Sequence, residues 1–398
     1  MKVCMLTSSF PRHDGDFAGN FIYGPAQKLV TEGVSVIVVA PADAGTSYKQ
    51  TMNGILVHRF RYMPALKQQR LAYRDGGLSV TLKRGWSTRL QLLPFTSAFW
   101  AAAISPCRDA DVIHAHWTLA GIVSLAAGLL QNKPTILSLW GADINLARGR
   151  VLSWVNRCVF QNVDRITVVS TDLRERVLAL GLPDKKIVLL PNSVDETRFR
   201  PVDRAAARQR LGLPHDFPLI LYVGSLIERK GVRDLVQAMS EIDSEMPKAQ
   251  LFLVGEGHLR KDLETQVQTL ELGSNVSFAG ARPSHEVPYW MNAADVLVLP
   301  SYSEGRPTVV LEAMACRTAV VASDIGGNRE LVVPQETGLL ARAGDPGDIA
   351  DKLVMALRDD GLRDRLSRGG RRIVLERGFT WQGNARRLLN IYTETVGL

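Results

Sequence analysis

Cysteine is scarce in this chain of 398 residues: four, at positions 4, 107, 158 and 316, with no CxxC or other metal-binding spacing. That excludes a disulfide framework and predicts reduced thiols in a cytoplasmic protein. Long hydrophobic runs are also missing. The longest apolar stretches, Leu92–Ile104 and Leu119–Leu130, are interrupted by Ser, Thr, Gly or Pro and fall short of the ~20 residues of a membrane span. The start, Met1-Lys2-Val3-Cys4-Met5-Leu6-Thr7, turns polar too early for the apolar core of a secretory signal. Low-complexity tracts and solenoid-period repeats are absent as well.

Hydrophobic residues make up 46% and charged residues 22%, which excludes a disordered chain, and the length predicts two or three domains. The formal charge of +8 is unevenly spread. Residues 1–200 hold 24 Lys+Arg against 14 Asp+Glu, whereas 201–398 hold 24 against 26. Within the first half, Arg59, Arg61, Lys67, Arg70, Arg74, Lys83, Arg84 and Arg89 face one acid, Asp75. Such a patch attracts phosphates, in nucleic acid or in anionic lipid head groups; a solvated loop without a partner is the plainer reading.

Short apolar runs alternate with helical periodicity. Lys2–Thr7 reads as a buried strand, Ser8–Asn20 as a loop containing Gly15 and Gly19, and Phe21–Glu32 as a helix. Val34–Ala40, Asp111–His116, Pro134–Leu139 and Arg165–Ser170 continue the strand series. The pattern restarts with Leu219–Val223, then Gln250–Val254, Val276–Ala279, Asp295–Leu299 and Thr318–Ala322. Strands apolar on both faces with helices between them predict α/β domains with parallel, doubly wound sheets. Prolines 191, 201, 214 and 218 suggest an interdomain connection. The expected division is a first domain over 1–200 and a second over 201–379. A last helix over 380–398, with Trp381, Ala385, Leu388, Leu389 and Tyr392 on one face, should pack back on the first domain.

The densest chemical signal runs from Leu299 to Ala315. A strand ends at Pro300, a polar loop follows, and Pro307 stands where a helix should begin. Ligands of open α/β sheets bind at the carboxyl ends of strands, and a helix start with free N–H groups suits a diphosphate. Gly305, Arg306, Pro307 and Thr308 are therefore candidate donor-binding residues. Glu304 in the loop and Glu312 in the helix would take hydroxyls of two sugars on either side of that diphosphate. Arg229 and Lys230, after the strand Leu219–Val223, bring positive charge to the same sheet edge; charge of that kind steadies a departing diphosphate. In the first half, His114-Ala115-His116 ends a strand with both histidines on one face. A metal pair lacks a third ligand at a diagnostic spacing, so none is expected. Trp140-Gly141-Ala142-Asp143 ends the next strand and would line the same cleft.

The ordered set of motifs resembles the retaining glycosyltransferases of family 4, which have the GT-B fold. Gly15–Gly19 resembles the family's glycine-rich loop, His116 its active-site histidine, and Pro191–Asp195 its PNGVD segment. Lys230-Gly231, Val254–Gly257, the Glu304/Glu312 pair, Asp324–Gly327 and Thr337–Leu340 match further motifs in the same order. The sequence departs from the pattern at Ser225, where the family usually has Arg, at Trp140 and at Ser193. The resemblance implies two Rossmann-like domains facing across a cleft. Lys230 would hold the donor diphosphate, Glu312 the ribose and Glu304 the transferred sugar, with His116 near the acceptor hydroxyl and Gly15 and Gly19 on the donor side. It implies a nucleoside-diphosphate sugar as donor, no cofactor or metal, and a glycan acceptor, with the basic stretch fitting a lipid-linked one at an anionic membrane surface. Such an enzyme would serve cell-surface polysaccharide synthesis.

Other readings keep the fold and change the role. A nucleotide-sugar epimerase or a hydrolase would turn over without a second sugar, and a non-catalytic nucleotide- or nucleic-acid-binding protein would use the basic half alone. The run Gly255–Arg260 lacks the last glycine of a dinucleotide fingerprint, which argues against a dehydrogenase.

Overall fold

A computed structural model describes residues 1–73, 85–141 and 150–397. The chain forms two compact units, Met1–Pro191 with Trp381–Leu398, and Asn192–Thr380. The division falls earlier than residue 200. The segment after Pro191 is part of the second unit, where Val194 bridges Thr380 and the Arg208 side chain is buried against Asp295 at 2.9 Å.

The first unit holds β1 (Lys2–Leu6), β2 (Ser35–Pro41), β3 (Lys49–Met52), β4 (Ile55–Phe60), β5 (Val112–His116), β6 (Thr135–Leu139), β7 (Arg165–Val168) and β8 (Ile187–Leu189). Their order is β3-β4-β2-β1-β5-β6-β7-β8. All neighbours are parallel except the hairpin β3–β4. Helices cover both faces, consistent with strands that read as unbroken Val, Ile and Leu runs. The helix Trp381–Val396 belongs to this unit; Ala385, Leu388, Ile391 and Tyr392 pack with Val3, Val36 and Leu29 in one apolar cluster.

The second unit is a parallel sheet of β9 (Leu219–Val223), β10 (Gln250–Val254), β11 (Val276–Gly280), β12 (Val296–Leu299), β13 (Ala319–Ser323) and β14 (Leu339–Ala341), ordered β11-β10-β9-β12-β13-β14. One core cluster lies on each face. Strands β9 and β12 are neighbours, so the loops leaving their carboxyl ends meet there.

Candidate functional site

Lys230 follows β9 and Glu304 follows β12, and the sheet order brings them together. Lys230 Nζ lies 2.5 Å from Glu304 Oε1, and Ser301 Oγ donates to the same oxygen at 2.7 Å. Arg229 stands 3.7 Å from Glu304 Oε2 and donates to the Ser303 carbonyl at 2.6 Å. The Glu304 side chain is 8% exposed and that of Arg229 52%, so the acid is enclosed while one of its cations reaches solvent. Gly231 explains the glycine after Lys230: at φ 64°, a Cβ there would sit 2.1 Å from the Pro300 carbonyl oxygen. Only a residue without a side chain lets the two loops lie so close.

The helix Thr308–Ala315 begins beside this pair, with Pro307 in the capping position and no side-chain cap hydrogen bond. The first N–H groups of the helix, those of Thr308, Val309 and Val310, receive no side-chain cap and suit an anion, with Gly305 in the loop just before them. Glu312 lies within that helix, partly buried. Burial raises its pKa to about 7, against the pull of Arg198. Arg198 was not singled out in the sequence, although it stands close after the Pro191–Asp195 motif; its guanidinium lies 5.4 Å from the Phe199 ring centroid.

Arg306 requires a correction. Its guanidinium is not presented to a donor, because it is buried, paired with Glu330 at 2.9 Å and laid over the Phe379 ring at 4.5 Å. The residue instead fixes the loop, and its carbonyl accepts from Asn192 Nδ2 at 2.6 Å.

In the first unit, His116 ends β5 and is buried, with its ring 4.4 Å from that of His114 and 5.9 Å from that of Trp140. Neither of its nitrogens has a hydrogen-bond partner among the described residues. Burial, reinforced by His114, holds its pKa well below the usual histidine range, so the ring is neutral at pH 7. His114 is fully buried, with its pKa lowered by burial to about 3. Among the described residues no group of three His, Cys, Asp or Glu could hold a metal ion. Gly19 caps the helix Asn20–Thr31 at φ 70°, where a Cβ would meet the Ser9 carbonyl at 2.5 Å; Gly15, at φ 82°, faces open space. Arg12 closes this loop by pairing with Asp16 at 2.7 Å and Asp43 at 2.9 Å.

The basic stretch is smaller on the surface than its sequence suggests. Arg59 sits inside β4, buried, with its guanidinium bonded to the Pro11 carbonyl and 2.8 Å from the Tyr73 hydroxyl. Tyr62 is buried too, its hydroxyl accepting from Leu71 N–H at 3.0 Å. Arg61, Lys67, Arg70 and Arg89 are exposed. Arg74, Asp75, Lys83 and Arg84, like Ala142 and Asp143, lie outside the described residues.

Two family patterns match, "Glycosyl transferase 4-like domain" over residues 18–193 and "Glycosyl transferases group 1" over 203–373. A D-inositol 3-phosphate glycosyltransferase of Catenulispora acidiphila is 30% identical over 99% of this chain and 95% of its own. The chain belongs to the group 1 glycosyltransferases. The glycosyltransferase is thus an enzyme of the GT-B class, and family 4 fits its first half. Sucrose-phosphate synthase of Thermosynechococcus elongatus superposes with a TM-score of 0.81 at 27% identity, covering 99% of each chain. Anabaena HepE, solved with UDP-glucose, shares the fold with a TM-score of 0.77 at 19% identity, covering 99% of this chain and all of its own.

Proposed function

We propose that this glycosyltransferase moves a sugar from a nucleoside-diphosphate donor to a hydroxyl of a lipid-linked glycan, retaining the anomeric configuration, in cell-surface polysaccharide synthesis. The observation that carries the reading is the Lys230–Glu304 pair at the meeting of β9 and β12, beside an uncapped helix start. An arriving diphosphate would draw Lys230 away from Glu304 and leave the carboxylate to accept from sugar hydroxyls. Glu312 would take the ribose, and Arg229 with the N–H groups of Thr308 and Val309 would offset the charge growing on the bridging oxygen as the anomeric C–O bond breaks. The acceptor oxygen then forms its bond on the face the nucleotide leaves, and its proton passes to the departing phosphate. His116, neutral and with both nitrogens unpaired among the described residues, suits a hydroxyl of the sugar or acceptor. No resident metal or cofactor enters this scheme.

The lipid part of the reading rests on a second feature. Trp86, Leu90, Leu93 and Trp100 are 76%, 64%, 79% and 38% exposed, four large apolar side chains left uncovered within fifteen residues. Arg89 and Arg108 are exposed on the same segment. A ridge of Trp and Leu beside arginines fits the headgroup region of an anionic leaflet, reached from the cytoplasmic side. Among the described residues no helix is long and apolar enough to cross a membrane.

Thermal melting with UDP-, GDP- and ADP-sugars, followed by transfer assays with Glu304→Gln and Lys230→Ala, tests the donor site. A folded Glu304→Gln enzyme with near-normal turnover would refute it.

A further inference from the structure

Hydrogen bonds fix the backbone of the loop that carries Glu304. The Tyr302 N–H donates to the Arg229 carbonyl at 2.9 Å, and the Tyr302 hydroxyl donates to Asp234 at 2.6 Å. The Ser303 carbonyl accepts from Arg229 at 2.6 Å and the Arg306 carbonyl from Asn192 at 2.6 Å. The path of the loop is set by these bonds, but the long Glu304 side chain keeps rotatable bonds of its own, and ordering it costs entropy. Its carboxylate must be held separately.

Two donors hold it, and both meet the same oxygen. Lys230 Nζ and Ser301 Oγ lie 2.5 Å and 2.7 Å from Glu304 Oε1. A carboxylate only accepts hydrogen bonds, so the serine hydrogen points at Glu304. Among the described residues Oε2 has no such bond; Arg229, at 3.7 Å, is beyond hydrogen-bond range. One oxygen is engaged within the protein and the other is left for a ligand.

The two donors respond differently to an arriving diphosphate. Lys230 is charged and 16% exposed, so the phosphates compete with Glu304 for it. Ser301 is neutral and fully buried, two residues past the end of β12, and a phosphate does not reach it.

We propose that Ser301 is a positioning residue, whose hydroxyl keeps the Glu304 carboxylate aimed, with Oε2 toward the sugar, once the diphosphate has drawn Lys230 away. The inference rests on the donor reading given above and adds a residue to it. Without the serine bond, the carboxylate has to be ordered anew whenever a sugar binds, which weakens the contact. A free nucleoside diphosphate has no sugar for Glu304 to meet and is indifferent to the change.

Calorimetric titration of the full chain tests this, with UDP, GDP and ADP as probes, each free and as its glucose, galactose, mannose and N-acetylglucosamine esters. Ser301→Ala should weaken nucleotide-sugar binding about tenfold, the lower end of what a hydrogen bond to a charged group contributes, and leave free diphosphate binding within about twofold. Lys230→Ala should weaken both. Ser301→Cys fills the space with a weak donor and should follow Ser301→Ala, which separates the hydrogen bond from packing. Three results would overturn the inference: nucleotide-sugar binding unaltered in Ser301→Ala, free diphosphate weakened to the same degree, which would make the serine a support of the loop alone, or full affinity in Ser301→Cys. Failure of every probe to bind, or free diphosphate binding that ignores Lys230→Ala, would instead overturn the donor reading and this inference with it.

Discussion

The Tyr392 hydroxyl lies 2.7 Å from His114 Nδ1, joining the last helix to the strand that carries His116. The other imidazole nitrogen, Nε2, is 2.7 Å from Ser138 Oγ, which in turn lies 2.6 Å from Thr167 Oγ1. A neutral ring has one donor and one acceptor nitrogen, and a hydroxyl can meet either, so both nitrogens of the buried ring are satisfied. Tyr392→Phe would leave one buried nitrogen without a partner at a cost of about 1–3 kcal/mol. Urea denaturation should show a lower midpoint with an unchanged slope; an unchanged midpoint would mean that the hydroxyl contributes nothing.

The two cations beside Glu304 should differ in weight. Lys230 touches the carboxylate at 2.5 Å and is 16% exposed, whereas Arg229 stands 3.7 Å away and is 52% exposed. Water screens the second far more strongly than the first. Lys230→Ala should therefore weaken nucleotide-sugar binding at least tenfold more than Arg229→Ala, as measured by calorimetry. Equal losses would place the diphosphate nearer Arg229, where it would stand in for the arginine that Ser225 lacks.

If Glu312 holds the ribose as proposed, nucleotide affinity should depend on pH. Its pKa, raised by burial to about 7, lies above the usual carboxylate value, so much of it is protonated at pH 6 and ionised by pH 8. A ribose hydroxyl donates better to the ionised form, so binding should tighten as pH rises through 7 and then level off. The stability effect has the opposite sign. The folded state binds the proton more tightly than the unfolded chain, so this stabilisation is complete below about pH 4.5 and is lost as pH rises through about 7. Glu312→Gln should flatten both profiles. Unaltered slopes in the variant would assign the titration to another group.

Much of this was legible because most strands are short, unbroken Val, Ile and Leu runs, and because Gly231 and Pro307 mark places where the backbone must turn or a helix must start. Side-chain direction was not. Arg306 sits amid the densest motif and reads as a donor contact, yet Glu330, distant in sequence, draws its guanidinium into the protein. Arg59 counts toward a basic patch until β4 turns it inward against the Pro11 carbonyl. A charge count carries no burial, and short strands such as β3, β4 and β8 offer too little periodicity to supply it. Arg198 escaped for a related reason: only the fold brings it near Glu312.

The apolar ridge yields the last prediction. Leu93 is 79% exposed and Trp86 76%, so replacing them removes little internal packing. Surface changes of this kind usually alter stability by no more than about 0.5 kcal/mol. Membrane affinity should respond much more, because each large apolar side chain buried at a bilayer surface contributes about 1–3 kcal/mol. Trp86→Ser combined with Leu93→Ser should therefore release the enzyme from vesicles of phosphatidylglycerol and phosphatidylethanolamine, with the melting temperature nearly unchanged. Neutralising Arg89 and Arg108 should reduce binding only at low salt, since exposed charges are screened within about 10 Å at 0.1 M. Co-sedimentation unaffected by either pair of changes would dismiss the ridge as a membrane contact while leaving the donor site untouched.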